Sequence, residues 1–177
     1  MAQNSREERK KKVIEVLNRA RAMELQAIHQ YMNQHYNLDD RDYGELAANI
    51  KLIAIDEMRH AEIFAERVKE LGGEPVTEPA GKVEKAQPTE DIFSFDAEQE
   101  EGAIDAYNQF LLVCRENGDS TSMKLFESII DEEQEHLSYF DNVHEHIKTL
   151  GAAYLARIAG TSSDTGGFSK GFSKGTE

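Results

Sequence analysis

Glu24-Leu25-Gln26-Ala27-Ile28-His29-Gln30-Tyr31 and Glu100-Glu101-Gly102-Ala103-Ile104-Asp105-Ala106-Tyr107 are the two stretches that decide the fold. Each has Glu first, Ala-Ile at the third and fourth positions after it, and Tyr at the seventh. They lie 76 residues apart, and so do Glu57-x-x-His60 and Glu133-x-x-His136. The chain therefore reads as two copies of one helical hairpin. Each copy has Glu-x6-Tyr on its first helix and Glu-x-x-His on its second. Residues i and i+3 share a helix face, so each Glu-x-x-His offers a carboxylate and an imidazole to the same point.

The breakers around these motifs set the element boundaries. All three prolines, Pro75, Pro79 and Pro88, fall between Gly72 and Thr89, and four glycines crowd into residues 166 to 175. The nearly breaker-free remainder predicts long helices. The first is expected from Ser5, where Ser5-Arg6-Glu7-Glu8 reads as a capping box, to about His35. A turn over Asn37 to Asp42 leads to a second helix ending at Leu71, before Gly72-Gly73. A third begins between Thr89 and Asp96 and runs to Asn117. The fourth spans about Ser120 to Lys148, and a short fifth lies within residues 151 to 159. Apolar stripes such as Leu46, Ile50, Ile53 and Phe64 make the four long helices amphipathic. The fold class is all-α, a four-helix bundle whose crossover over 72 to 89 joins two parallel neighbours. One domain is expected over residues 1–160. The Gly/Ser-rich tail 161–177, with Gly-Phe-Ser-Lys written twice, is expected to be disordered.

Composition removes several function classes. The 34 acidic residues against 20 basic ones give a net charge of −14. That balance opposes nucleic-acid binding, which needs Lys and Arg on phosphates, and favours the attraction of cations. A single cysteine, Cys114, excludes a disulfide framework, a Cys-based zinc ribbon and a four-cysteine iron site. Residues Met1 to Lys12 are charged where a signal peptide would be apolar, and no run of about 18 apolar residues occurs. A soluble, cytoplasmic protein with no membrane partner is expected.

Six residues interrupt the apolar stripes near mid-bundle: Glu24, Glu57, His60, Glu100, Glu133 and His136. A buried, unpartnered carboxylate costs several kcal/mol, and here there are four. One such Glu alone would be read as snorkelling or salt-bridged. Six in matched register point to a shared purpose. Four carboxylates balance two divalent cations, and carboxylate with imidazole suits iron or manganese. Tyr31 and Tyr107, two turns from Glu24 and Glu100, are placed as hydrogen-bond donors behind such a site.

With Ile55-Asp56-Glu57-Met58-Arg59-His60-Ala61-Glu62, the chain up to about residue 160 resembles the bacterioferritins, of the ferritin-like di-iron superfamily. The methionine directly after the second helix's ligand glutamate is the specific feature. The resemblance implies a ferroxidase centre at the six residues, where two Fe(II) ions are oxidised by O2 or peroxide. It implies a cage of 24 subunits built from twofold dimers, storing ferric mineral, with an electron-donor protein for iron release. It also implies that Met58 and its twofold mate ligate one haem-type iron porphyrin per two subunits, with Leu25, Ile28, Met32 and Ile55 around it. Some bacterioferritins have an inner-surface iron site using a histidine where this chain has Leu52, together with the residue matching Asp56. Other readings of the same ligand set are a di-iron or di-manganese oxidase or peroxidase without storage. A haem-binding electron carrier and a DNA-protecting shell protein complete the alternatives.

Overall fold

The computed structural model describes residues 2–166 and 171–173. Its helices are α1 (Ala2–Asp40), α2 (Gly44–Glu70), α3 (Thr89–Glu116), α4 (Ser120–Leu150) and α5 (Ala152–Ile158). Two boundaries depart from the sequence expectation. Helix α1 begins before Ser5, so Ser5 is no N-cap; its hydroxyl lies 3.5 Å from Arg9 within the helix. The expected turn over Asn37 to Asp42 is helical through Asp40. Asn37 continues the helix by bonding Asn33 one turn back, and Leu38 is fully buried. The chain reverses only at Asp42, whose φ of 66° is a left-handed conformation that Asp tolerates.

The path of the crossover follows from its hydrogen bonds with α1. Asn18 holds Glu74 and Val76, Arg21 holds the Val76 carbonyl, and the Ala80 amide reaches the Ala22 carbonyl. Gln30 then clamps Glu84 through both its amide groups, and Gln34 binds Gln87. Each step along the crossover is a step forward along α1. The chain after α2 is thus returned to the far end of the bundle before α3 starts, and α2 and α3 run parallel as expected.

Two apolar layers result. One gathers Leu38, Leu46, Ile50, Ile53, Phe93 and Phe140; the other gathers Leu17, Phe64, Val68, Phe110, Phe126 and Ile129. Complete burial of each such side chain contributes about 1.5–3 kcal/mol. The six polar interruptions lie between these layers, so apolar packing above and below holds the backbone that positions them.

The first residues after α5 fold back on the α1–α2 turn. The Gly160 amide donates to the Asp42 carbonyl, and the Thr161 hydroxyl accepts from the Glu45 amide. Gly44 is required here, because a Cβ would lie 2.0 Å from the Thr161 carbonyl oxygen. The disordered-tail expectation also covers residues 167–170 and 174–177, which lie outside the described residues.

Candidate metal centre

Helices α1 and α3 each supply one glutamate to the polar layer; α2 and α4 each supply Glu-x-x-His. All six side chains are at most 3% exposed. Their ligand atoms form two overlapping groups. Glu24, Glu57, His60 and Glu133 make one, and Glu57, Glu100, Glu133 and His136 make the other, each within 4.8 Å. Glu57 and Glu133 belong to both.

The geometry is a pseudo-twofold. His60 Nδ1 lies 2.9 Å from Glu57 and 3.2 Å from Glu133 Oε1; His136 Nδ1 lies 3.1 Å from Glu133 and 3.2 Å from Glu57 Oε1. Both Nδ1 atoms therefore point inward. Glu57 Oε1 and Glu133 Oε1 are buried, and the imidazole nitrogens that face them at 3.2 Å make no well-aligned hydrogen bond to them. Leaving such oxygens unmatched costs free energy, and a cation between them removes the cost. The residues present thus fit two metal ions sharing two carboxylates.

Sequence spacing places Tyr31 and Tyr107 behind the site but does not say which glutamate each serves. Tyr31 donates to Glu100, and Tyr107 donates to Glu24. Each hairpin thus supports the other's ligand. The same crossing holds for two carboxylates that sequence reasoning did not assign to the imidazoles. Glu132 faces His60 Nε2 at 3.3 Å, and Asp56 faces His136 Nε2 at 3.5 Å. Hydrogen bonding of the outer nitrogen fixes which ring nitrogen is free for a metal. The signal was available, since Asp56 and Glu132 each directly precede a ligand glutamate and share the 76-residue offset.

The electrostatics of the centre favour the protonated forms of most of its groups. Burial, reinforced by Glu133 and Glu57, holds both Glu24 and Glu100 well above the usual carboxylate range. Burial opposes charge on the histidines, but the carboxylates outweigh it. Glu133, Glu132 and Glu57 raise His60; Glu57, Asp56 and Glu133 raise His136. Glu133, against the effect of burial, is held below its ordinary value by His60 and His136. Burial and the glutamate each one faces raise Tyr31 and Tyr107, which stay neutral donors.

These shifts fix the sign of a stability effect. A group whose pKa is raised on folding stabilises fully below its unfolded pKa, and that contribution fades as pH rises through the folded value. For Glu24 and Glu100 the loss begins above about 4.5, and for the histidines above about 6.5. Glu133 acts oppositely: its contribution is complete above about 4.5 and is lost as pH falls from there toward its lowered value. Metal-stripped protein is therefore expected to melt below metal-loaded protein at pH 7, with the gap shrinking toward pH 5. A bound ion at 100 times its dissociation constant adds about 2.7 kcal/mol. Calorimetry with and without Co(II) checks this; equal melting temperatures at pH 7 would mean the carboxylates are balanced without metal.

The centre opens on the α1/α3 side. A cavity of about 80 Å³ reaches it between Met23, Gln26, Gln30, Gln99 and Ala103. That volume suits ions, water and dioxygen rather than an organic substrate.

Met58 points away from the centre and is 50% exposed. It sits in a surface groove with Arg21, Leu25, Ile28, Ala61, Glu62 and Ala65. Of the neighbours expected around it, Leu25 and Ile28 line the groove. Ile55 is buried, and Met32 packs against the core layer, so neither is in the lining.

The chain is similar to known proteins along most of its length. The ferritin-like domain model matches residues 14–150. A bacterioferritin of Desulfovibrio desulfuricans is 67% identical over 168 residues, covering 95% of this chain and 94% of that protein. One from Streptomyces coelicolor is 34% identical, covering 82% of this chain and 88% of its own. The X-ray structure of the D. desulfuricans protein, described as showing its diiron site in different catalytic states, superposes with a TM-score of 0.91. It covers 95% of this chain and 98% of that one. The Mycobacterium tuberculosis bacterioferritin superposes with a TM-score of 0.79 at 32% identity, covering 83% and 93%.

Proposed function

The chain belongs to the bacterioferritins, within the ferritin-like family, and is an iron-storing ferroxidase; on that premise we propose how its residues divide the work. Glu24 and His60 hold one iron ion, Glu100 and His136 hold the other, and Glu57 and Glu133 are shared. The observation that carries this is the overlap of the two ligand groups at two buried carboxylates, each with an oxygen that makes no well-aligned hydrogen bond. When bound, the two Fe(II) ions supply the electrons that reduce O2 or peroxide.

The remaining roles belong to side chains. The shared carboxylates offset charge that would otherwise drive two cations apart. Glu132 and Asp56 orient the imidazoles, while Tyr31 and Tyr107 fix the terminal glutamates from the opposite hairpin. Glu24, Glu100, His60 and His136 all have raised proton affinity, and metal ligation requires their deprotonated forms, so ion uptake is coupled to proton release. The narrow cavity supports a small oxidant over the substrate of an oxygenase.

Family membership implies a di-iron centre and a haem, and bacterioferritins are oligomeric cages. We assign the haem-type porphyrin to Met58, one per two subunits. An exposed thioether beside Leu25, Ile28, Ala61 and Ala65, in a groove that also includes Arg21 and Glu62, fits a soft axial ligand over a flat ring. The cage is proposed to have 24 subunits assembled from twofold dimers, with an electron-donor protein serving iron release. The proposed compartment is the cytoplasm. Among the described residues no helix is long and apolar enough to cross a membrane.

Two measurements test the reading together. Anaerobic titration is expected to saturate at two metal ions per chain. Light scattering is expected to give a particle of about 480 kDa from chains of 20.0 kDa. A monomer or dimer taking up two ions would keep the metal centre and remove the cage.

A further inference from the structure

The α2/α4 side of the centre, opposite the cavity, is covered by a piece of the C-terminal tail. The backbone amides of Phe172 and Ser173 each donate to Asp56 Oδ2 at 2.7 Å. The Ser173 hydroxyl lies 3.2 Å from His136 Nε2. The Phe172 ring packs on Tyr139 at 4.9 Å between centroids and on His136 at 6.1 Å, edge-on. Gly171 comes so close to Asp56 that a Cβ would lie 1.5 Å from its Oδ1. Arg59 takes that same Oδ1 at 2.8 Å.

Asp56 is therefore committed on both oxygens. One amide pair, one guanidinium and one imidazole share it, and Leu52 brings no imidazole to the same patch. The patch that could pass or hold a cation outside the centre is filled by Gly171, Phe172 and Ser173.

We propose that Gly171–Ser173 is a cap that docks on Asp56, His136 and Tyr139, closes the α2/α4 side of the metal centre, and retains ions there against loss on that side. The proposal rests on the six-ligand centre being the metal site. The cap acts by position: it fixes the outer nitrogen of His136 and shields the ring from solvent with Phe172. Undocking exposes Asp56 as a carboxylate directly beside the centre.

Docking is tested first without metal, so that it stands apart from any failure of the ferroxidase reading. The sequence has no tryptophan, so Phe172→Trp introduces a single indole at the cap, excited selectively beyond the tyrosine absorption. In the metal-free assembled protein its emission is expected to be blue-shifted and quenched by acrylamide several-fold less than free tryptophan. Asp56→Asn, which weakens the acceptor, is expected to shift it to the red and expose it. Hydrogen exchange of the unmodified protein covers the case in which the indole does not fit. The Phe172 and Ser173 amides are expected to be protected, and to lose protection in Asp56→Asn. Retention is then read with Co(II) loaded at two ions per chain and stripped by EDTA. Phe172→Ala, and a chain ending at Gly166, are expected to release Co(II) several-fold faster than the full chain. A solvent-exposed indole in Phe172→Trp together with unprotected amides in the unmodified protein, or equal stripping rates in all three proteins, would overturn the cap.

Discussion

Alanine at Glu133 is expected to reduce the initial rate of Fe(II) oxidation by more than about 100-fold while the assembly keeps its size. Glu133 is in both ligand groups, with Oε1 toward His60 and Oε2 toward His136. Its removal takes a ligand from both ions at once and leaves Glu57 alone between them. Loss of an outer partner of a metal ligand already costs about 10–100-fold in affinity or activity, so loss of a shared ligand should exceed that range. His136→Ala removes a ligand from one ion only. The second ion still has His60, but the two-electron reaction needs both, so the rate should fall comparably. Glu135, exposed on the same helix, is the control, and Glu135→Ala is expected to oxidise Fe(II) at the unmodified rate. Stopped-flow absorbance at two Fe(II) per chain, with size exclusion on the same samples, makes the comparison. Unmodified rates in both Glu133→Ala and His136→Ala would remove the six-residue assignment.

The six proposed ligands were legible because each breaks an apolar stripe at a place where hydrocarbon should continue. The 76-residue repeat then turned six anomalies into two copies of one. What the repeat could not show was which copy serves which. Tyr31 lies seven residues from Glu24, about 10 Å along one helix, too far for a hydrogen bond. Its partner had to come from a neighbouring helix. The antiparallel register of α1 and α3 brings Tyr31 to Glu100 and Tyr107 to Glu24. The register of α2 and α4 likewise crosses Asp56 to His136 and Glu132 to His60. Periodicity fixes the face of a helix, not its neighbour's sliding position, so these pairings appear only after packing.

One local misreading and one contact without a sequence signal have the same origin. Asn37 suggested a turn by its turn propensity, but burial of Leu38 and the Asn33 contact carry α1 past it. The tail offered no periodicity from which a contact of Gly171 to Ser173 could be expected. Docking of Phe172 depends on one aromatic ring and one buried acceptor at Asp56, and neither leaves a pattern along the chain. The Gln30–Gln34–Gln87–Asp96 network was equally invisible. It ties the crossover to α1 and α3 through bonds of 2.7–3.2 Å between residues far apart in sequence.

Replacing Met58 with leucine is expected to abolish porphyrin binding. Glu57 points into the bundle and Met58 out of it, so adjacent residues address separate sites on one helix. Leucine matches the bulk of methionine, and volume-conserving apolar exchanges usually cost under about 1.5 kcal/mol even in cores. At a half-exposed position the fold should barely register the change. What leucine lacks is the sulfur lone pair, the one feature an axial ligand requires. The apolar walls, Leu25, Ile28, Ala61 and Ala65, remain and could still hold a ring loosely. The decisive readout is therefore the low-spin, methionine-ligated spectrum, measured beside haem content per chain. Unmodified protein expressed with abundant haem-type cofactor should show a Soret band and about one porphyrin per two chains, as a ligand pair across a twofold axis requires. Met58→Leu should lose the low-spin signature entirely. Fe(II) oxidation should persist in it, because all six centre ligands are untouched. Reductive release of stored iron should slow, since an electron route at the interface has been removed. An unmodified protein without a Soret band would refute the role of Met58 and leave the metal centre standing, because that argument uses no atom of Met58.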